Sequence, residues 1–264
     1  MPVLSLKDAE IHYETIGDGP PLLLVAGLSS DSASWGPVSP ALSQHFTLIM
    51  PDNRGAGRTK TSAPISIETM AGDCAALLDH LKIDRAHVLG HSMGGIISMT
   101  LATKHPDRID RLVLAASCAT TPSRAVSVID TILLLREAGA PHEHWLRSFF
   151  HWLFKPGFFD NKNAVDAAIA LSMAYPYAQS VEDMRRQVDA LREYDASSLP
   201  AAVKAETLLL AGEHDLMFSP EEINAAFTAT PSARLEILKG AAHSLYWDNP
   251  AGFAAAVTAF LRSQ

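Results

Sequence analysis

Short apolar runs alternate with helix-like segments along most of this 264-residue chain. The run at residues 22–25 is continuously apolar, which is typical of a strand that is covered on both faces. Strands are also predicted at residues 3–6, 11–15, 46–50, 86–89, 112–116, 207–210 and 235–238. Helical patterns predict helices at residues 32–44, 67–81, 94–104, 220–228 and 250–261. This alternation predicts an α/β fold with a mostly parallel central sheet and helices on both faces.

The segment 119–198 interrupts this alternation. It contains helical patterns at residues 126–138, 144–153, 165–173 and 181–194, and no convincing strand pattern. A helical block between two sheet strands is typical of a lid over the carboxyl edge of the sheet, where ligands bind in open α/β folds. We therefore predict a core formed by residues 1–118 and 199–264, with a helical cap inserted at 119–198.

Charge and hydropathy exclude several classes of protein. Twenty-nine acidic residues outnumber 21 lysines and arginines, so the formal net charge is −8, and nucleic acid is not an expected partner because phosphate binding needs a basic face. The start of the chain has no apolar stretch of signal-peptide length. The apolar run at residues 132–135 is far too short to span a bilayer. We expect a cytoplasmic protein that does not bind membranes.

The run Gly90-His91-Ser92-Met93-Gly94 fits the pattern G-x-S-x-G. It lies between the predicted strand ending at Leu89 and the helix predicted from Gly94. A nucleophilic serine on such a strand-to-helix turn needs small neighbours, and the glycines supply them. The amino end of the helix also places backbone N–H groups beside a developing oxyanion. Ser92 is therefore the predicted nucleophile.

A serine nucleophile needs a base and a group that orients the base. His243 follows the strand predicted at 235–238, and Asp215 follows the strand predicted at 207–210. The order Ser, Asp, His along the chain is the order of this type of site. We predict His243 as the base and Asp215 as the acid; Glu213, His214 and Asp248 are the neighbouring rivals.

Together these motifs resemble the α/β-hydrolase superfamily, serine hydrolase branch, along nearly the whole chain. The resemblance rests on residues 24–28, 52–59, 90–95, 212–215 and 240–243. It implies an oxyanion hole formed by the backbone N–H groups of Leu28 and Met93. Many relatives have His-Gly where this chain has Ala26-Gly27, and Ser29, Ser30 and Ser32 are candidates to brace the loop instead.

Serine at position 92 argues against haloalkane dehalogenases and epoxide hydrolases, because that resemblance would require aspartate there. The Asp-x-Arg-Gly-x-Gly loop and the compact lid are most similar to 3-oxoadipate enol-lactonases and small carboxylesterases. This resemblance implies hydrolysis of a carboxylic ester or lactone of a small to medium, partly apolar substrate through an acyl-enzyme on Ser92, without a cofactor. The alternatives are a carbon–carbon bond hydrolase of an aromatic meta-cleavage pathway, a cofactor-free perhydrolase, and a ligand-binding receptor on a hydrolase scaffold.

Aromatic residues are concentrated in the predicted lid, and a few of them are candidates to line an apolar substrate pocket. The predicted substrate-binding residues are Trp35, Trp145, Phe149 and Tyr175, and for Trp35 packing in the core is the preferred alternative. Arg54 is expected to anchor loop carbonyls rather than to contact substrate.

A metal site is not expected. The run His142-Glu143-His144 is followed by Leu146 where the zinc motif H-E-x-x-H requires a second histidine, so the spacing fails.

Overall fold

The computed structural model describes residues 2–230 and 232–263. In these residues nine strands form one sheet in the order β1-β2-β4-β3-β6-β7-β8-β9, and β5 pairs with β2. Strands β3, β4, β6, β7, β8 and β9 are parallel to their mutual neighbours, whereas β2 pairs antiparallel with β1, β4 and β5. The strands are β1 Val3–Ser5, β2 Ala9–Ile16, β3 Pro21–Val25, β4 Thr47–Pro51, β5 Lys60–Thr61, β6 Ala86–His91, β7 Ile109–Ala115, β8 Glu206–Gly212 and β9 Ala233–Leu238.

Helices connect the strands and cover the sheet. Within the described ranges, 3₁₀ segments lie at Ser32–Trp35, Pro106–Arg108 and Pro156–Phe158. The α-helices are α1 Ser39–Leu42, α2 Ile67–His80, α3 Met93–Lys104, α4 Ser123–Glu137, α5 His142–Leu153, α6 Lys162–Met173, α7 Val181–Glu193, α8 Leu199–Ala202, α9 Pro220–Ala226, α10 Leu245–Asp248 and α11 Pro250–Arg262.

Two hydrophobic cores lie on opposite faces of the sheet. Successive side chains of a strand point to opposite faces, so Leu23 and Val25 of β3 enter one core while Leu22 and Leu24 enter the other. The first core packs against α2 and α3, and the second against α1 and α11. The fold is therefore the predicted one, a mostly parallel sheet with helices on both sides.

Helices α4 to α7 form the segment between β7 and β8. Leu146, Phe150 and Ile169 of α5 and α6 make a small separate core. Five residues of α4 instead belong to the first core of the sheet: Ala125, Val128, Ile129, Ile132 and Leu133. The helical character of residues 119–198 agrees with the sequence pattern, while their division from the core as a separate domain stays a prediction.

The helix predicted at residues 32–44 is interrupted. Asp31 caps a 3₁₀ turn at Ser32–Trp35, and α1 begins only at Ser39. Gly36 and Pro37 lie at the break, where a glycine and a proline disfavour a continuous helix. The short elements β5, α8 and α10 were not predicted, because two to four residues do not show a hydrophobic period. Among the described residues no helix is both long and apolar enough to cross a membrane.

Candidate active site

Ser92 lies on the sharp turn between β6 and α3. Its backbone has φ +53° and ψ −121°, a conformation that L-residues rarely adopt. The turn is possible because its glycines are in close contact with the backbone: a Cβ on Gly94 would lie 2.1 Å from the Val25 carbonyl oxygen, and one on Gly90 would lie 2.3 Å from the Gly94 carbonyl oxygen. The Ser117 hydroxyl fixes the turn further by donating to the Ser92 carbonyl at 2.8 Å.

A chain of hydrogen bonds joins Ser92, His243 and Asp215. His243 Nε2 lies 3.1 Å from Ser92 Oγ, and His243 Nδ1 lies 3.0 Å from Asp215 Oδ2. The Asp215 side chain is fully buried, and its Oδ1 accepts the backbone N–H groups of Met217 and Phe218 at 2.8 and 3.0 Å. A carboxylate held in this way accepts a hydrogen bond from Nδ1–H, which leaves the Nε2 lone pair free to accept the serine hydroxyl proton.

The rival acidic residues have other partners. Glu213 is 44 % exposed, and its carboxylate accepts the Gly240 N–H at 2.8 Å and lies 3.7 Å from His214. Asp248 Oδ2 accepts the N–H groups of Ala242 and Lys155 at 2.8 and 3.0 Å. Neither carboxylate hydrogen-bonds to the His243 ring. Asp248 instead fixes the loop that carries His243.

His91 is a site residue that the sequence reasoning did not assign. Its Nε2–H donates to the His243 carbonyl at 2.9 Å, and the two rings lie 5.0 Å apart. Burial, together with the neighbouring His243, lowers the pKa of His91 to about 3, so this ring is neutral. Phe218 stacks on His243 with its ring centroid 5.5 Å away. These two contacts join residues that are far apart in sequence, so no local pattern signals them.

Leu28 and Met93, the proposed oxyanion donors, both belong to segments that border Ser92. A Cβ on Gly27 would lie 3.2 Å from Ser92 Cβ, so the loop carrying Leu28 passes directly beside Ser92. Met93 is the first residue of α3, where backbone N–H groups have no partner within the helix. Their role as an oxyanion hole stays a prediction.

The loop after Leu28 is braced from the cap. Ser29 has φ +58°, and its hydroxyl donates to Gln179 Oε1. Its N–H donates to Oε1 of the fully buried Gln187 at 3.3 Å, and Gln187 Nε2 donates in turn to the Arg54 carbonyl at 2.7 Å. Ser29, one of the three serines proposed to brace the loop, thus links it to two glutamines of the segment 119–198. The sequence of the loop could not predict these hydrogen bonds, because both glutamines lie about 150 residues further along the chain.

The predicted pocket residues have different environments. The Trp35 side chain is fully buried in the second core, where its ring packs 4.7 Å from Tyr246, which is the core position that the sequence analysis preferred for it. Trp145 and Phe149 are partly buried against the first core. The Tyr175 hydroxyl donates to Asp31 Oδ2 at 2.7 Å. Substrate contact by Trp145, Phe149 and Tyr175 stays a prediction.

The alpha/beta hydrolase fold family model matches residues 20–160, which is more than half of the chain. The chain belongs to the α/β-hydrolase family. RutD of Azorhizobium caulinodans, named as a carbamate hydrolase, is 30 % identical over 250 residues, which cover 92 % of each chain.

Two solved structures also resemble this α/β-hydrolase. The enol-lactonase of Burkholderia xenovorans is 28 % identical with a TM-score of 0.87, over 99 % of this chain and all of that one. A malate-bound thermophilic esterase of Thermogutta terrifontis is 26 % identical with a TM-score of 0.86, over 99 % and 98 % of the two chains. These likenesses and the family membership identify the chain as a hydrolase of the α/β-hydrolase type.

In residues 2–230 and 232–263, no three His, Cys, Asp or Glu side chains are grouped as metal ligands.

Proposed function

We propose that this α/β-hydrolase is a serine hydrolase that cleaves a carboxylic ester or lactone through an acyl-enzyme on Ser92. The observation that carries the proposal is the hydrogen-bond chain Asp215–His243–Ser92, with distances of 3.0 and 3.1 Å. A serine hydroxyl is a weak nucleophile until a positioned base accepts its proton. This chain supplies such a base and a buried carboxylate that orients it.

In the first step, Ser92 Oγ attacks the substrate carbonyl carbon while His243 Nε2 takes the hydroxyl proton. The imidazolium that forms is stabilised by Asp215, whose carboxylate already accepts two backbone N–H groups. Oxygen of the former carbonyl gains negative charge, and the N–H groups of Leu28 and Met93 stabilise it. His243 then gives its proton to the leaving alcohol as the tetrahedral intermediate collapses.

In the second step, His243 accepts a proton from a water molecule as the water attacks the acyl-enzyme. The second tetrahedral intermediate collapses, the proton returns to Ser92 Oγ, and the carboxylic acid product is released. Both steps use the same oxyanion donors, and removal of one such donor typically costs about 10²- to 10³-fold in rate.

The cap helices carry the residues that we propose contact the substrate. Trp145 and Phe149 of α5 are partly buried beside the first core, and we propose that they give a small to medium substrate an apolar wall. The names of similar proteins support an acyl carbonyl as the target, since an enol-lactonase and an esterase cleave such groups and a carbamate contains one.

A panel of purified-enzyme assays tests this function. The panel contains a p-nitrophenyl ester of a short acid, a simple lactone, a carbamate ester and a ring-cleavage diketone. We expect turnover of the ester or the lactone, and a fall of about 10⁴-fold or more in kcat for Ser92→Ala. A matching circular dichroism spectrum shows that the variant is folded.

Three outcomes of the same panel contradict the proposal. Full activity in Ser92→Ala removes the serine mechanism. Turnover of the diketone without the ester or lactone makes the chain a carbon–carbon bond hydrolase. Tight retention of a ligand with no turnover makes it a receptor on a hydrolase scaffold.

A further inference from the structure

Gln187 is a polar residue on the buried face of α7. The other buried residues of this helix are apolar: Met184, Val188 and Ala190. The Gln187 side chain is nonetheless fully buried. An amide that leaves water has to regain its hydrogen bonds inside the protein, so an apolar side chain would cost less to bury here. The hydrogen bonds of the Gln187 amide therefore indicate what it contributes.

Both ends of the Gln187 amide bind the backbone of core loops. Its Oε1 accepts the Ser29 N–H at 3.3 Å, and its Nε2 donates to the Arg54 carbonyl at 2.7 Å. An N–H group can only donate and a carbonyl can only accept, so these two partners fix the orientation of the amide. Gln187 therefore ties the loop after β3 to the loop after β4.

Gln179 adds a second amide at the same place. Its Nε2 donates to Gln187 Oε1 at 2.8 Å and to the Gly55 carbonyl at 2.6 Å, and its Oε1 accepts the Ser29 hydroxyl. The Gln179 backbone carbonyl accepts from Arg136 Nη2 of α4 at 2.6 Å. Ser29 is thus held at both its N–H and its hydroxyl by side chains of the segment 119–198.

The backbone of Ser29 adopts a conformation that needs such support. Its φ is +58°, in the left-handed region that residues other than glycine rarely adopt. Ser29 is the third residue of a turn in which the Ser30 N–H donates to the Gly27 carbonyl at 3.2 Å. A positive φ at this place in a turn is usually supplied by glycine or asparagine. Here the two glutamines stabilise it in a serine.

The same turn sets the direction of the Leu28 N–H. This N–H and the Gly27 carbonyl belong to one planar trans peptide unit, in which they point to opposite sides. Because the Ser30 N–H fixes the carbonyl, it also fixes the N–H. A Cβ on Gly27 would lie 3.2 Å from Ser92 Cβ, so this peptide unit lies beside the serine.

We infer that Gln179 and Gln187 are positioning residues that direct the Leu28 N–H towards the oxyanion formed when Ser92 attacks its substrate. The inference rests on the function proposed above and gives the cap a part in stabilising the transition state. Neither amide acts on the reacting atoms; both act through Ser29 and the turn at residues 27–30. A donor contributes most when it is oriented before the reaction, because no reorganisation is then needed.

Two substitutions at Ser29 separate the backbone conformation from the hydroxyl group. Ser29→Ala and Ser29→Gly both remove the hydrogen bond to Gln179, but only glycine adopts a positive φ without steric cost. On a p-nitrophenyl ester we expect kcat to fall about tenfold in Ser29→Ala and at most about threefold in Ser29→Gly, with KM within about twofold in both. Equal losses of kcat in the two variants would overturn the inference.

Gln187→Leu removes the amide and keeps a side chain of similar size. We expect kcat to fall about tenfold or more with KM within about twofold, since an oxyanion donor acts on the transition state. Adding Ser29→Gly to Gln187→Leu should recover at least about threefold in kcat, because glycine adopts the turn without support. A purely structural role of Gln187 would give no recovery, and that result would overturn the inference.

Val188→Ala is the matched control, because it removes apolar volume from the same buried face of α7 and no side-chain hydrogen bond. We expect it to lower the midpoint of urea unfolding and to leave kcat within about twofold. A loss of kcat equal to that of Gln187→Leu would reduce the glutamine to a packing role.

Residue-resolved hydrogen exchange separates this inference from the proposed function, because it needs no turnover. The Ser30 N–H reports on the turn, and its acceptor on Gly27 is not altered by substitution of Gln187. We expect this N–H to exchange about tenfold faster or more when Gln187→Leu is added to Ser92→Ala. Unchanged exchange overturns the inference even if the ester chemistry holds, whereas faster exchange in a protein without ester or lactone turnover supports the brace and overturns only the proposed hydrolysis.

Discussion

At the scale of single residues, Asp215 and Glu213 show how two carboxylates on one loop differ. The Asp215 side chain is fully buried, whereas that of Glu213 is 44 % exposed. Asp215 divides its oxygens between His243 and two backbone N–H groups. Glu213 closes the loop by accepting the Gly240 N–H. Only Asp215 is placed to fix the tautomer of His243.

Replacing each carboxylate by its amide tests this assignment. In Asp215→Asn the amide group can donate to Nδ1, which favours the His243 tautomer with its proton on Nε2, and we expect kcat to fall by about 10³- to 10⁴-fold. In the control Glu213→Gln we expect kcat to stay within about twofold, since an exposed loop contact is weak. Steady-state rates on one ester measure both, and a larger loss in Glu213→Gln would reverse the assignment.

The residues of the site differ in how far the sequence could predict them. The nucleophile role could be proposed for Ser92 because the glycines, the strand and the helix that indicate it all lie within a few residues of it in the sequence. His243 and Asp215 could be proposed because each follows a predicted strand and because they come after Ser92 in the order Ser, Asp, His. For Trp35 the sequence left a pocket role open beside core packing, since an aromatic residue in a loop looks the same whether it lines a pocket or packs on Tyr246. His91, Gln179 and Gln187 were missed because their contacts join distant parts of the chain.

At the scale of elements, the β6–α3 turn depends on close backbone approach. Gly94 lies against the carbonyl oxygen of Val25, which ends β3 and leads into the loop of Leu28. The turn, Ser92 as the proposed nucleophile and one proposed oxyanion donor therefore depend on the same backbone contact. Gly72, inside α2, has open space where a Cβ would lie.

Alanine substitutions at these two glycines should have opposite effects. Gly94→Ala would place a Cβ 2.1 Å from the Val25 carbonyl oxygen, and we expect it to lower the free energy of unfolding by about 1–3 kcal/mol. We also expect kcat to fall, because β3 and α3 must move apart. Gly72→Ala should raise stability by about 0.5–1 kcal/mol without changing kcat. Urea unfolding and ester kinetics measure both variants; unchanged activity in Gly94→Ala would contradict this role of the turn.

The long elements could be predicted because their hydrophobic periods extend over many residues. Helix α2 at Ile67–His80 almost matches the pattern at residues 67–81. The predicted helix at residues 32–44 failed at Gly36, where a local break outweighed the apolar pattern on either side. In α4 the hydrophobic pattern predicted the helix. It did not predict that Arg136 would lie on the buried face of that helix.

At the scale of the whole molecule, Arg54 ties the loop after β4 to two other parts of the fold. Its guanidinium donates to both carboxylate oxygens of Asp73 in α2 at 2.7 and 2.8 Å, and to Asp8 in the β1–β2 turn at 2.9 and 3.0 Å. The hydrogen bonds to Asp73, and then those to Asp8, raise the pKa of Arg54 above its usual value. Arg54 was expected to anchor loop carbonyls; it binds carboxylates instead, and its own carbonyl accepts from Gln187.

Removing this buried cation should weaken the fold as a whole. Arg54→Ala leaves the Asp73 carboxylate, 10 % exposed, without its partner, and we expect a loss of about 3–5 kcal/mol in the free energy of unfolding. Arg85 is the control, since its pair with Asp110 lies at the surface with 57 and 37 % of the two side chains exposed. Arg85→Ala should cost at most about 1 kcal/mol. Urea unfolding monitored by tryptophan fluorescence measures both, and equal losses would contradict the structural role of Arg54.

The most direct test of the central claim is the site of covalent modification by a fluorophosphonate, a reagent that reacts with activated serine hydroxyls. Intact-protein mass spectrometry should show one adduct per chain, and peptide mapping should assign it to Ser92. We expect no adduct in Ser92→Ala and labelling slowed by orders of magnitude in His243→Ala, because the hydroxyl then has no base. An adduct on another residue, or equally rapid labelling in either variant, would contradict the account.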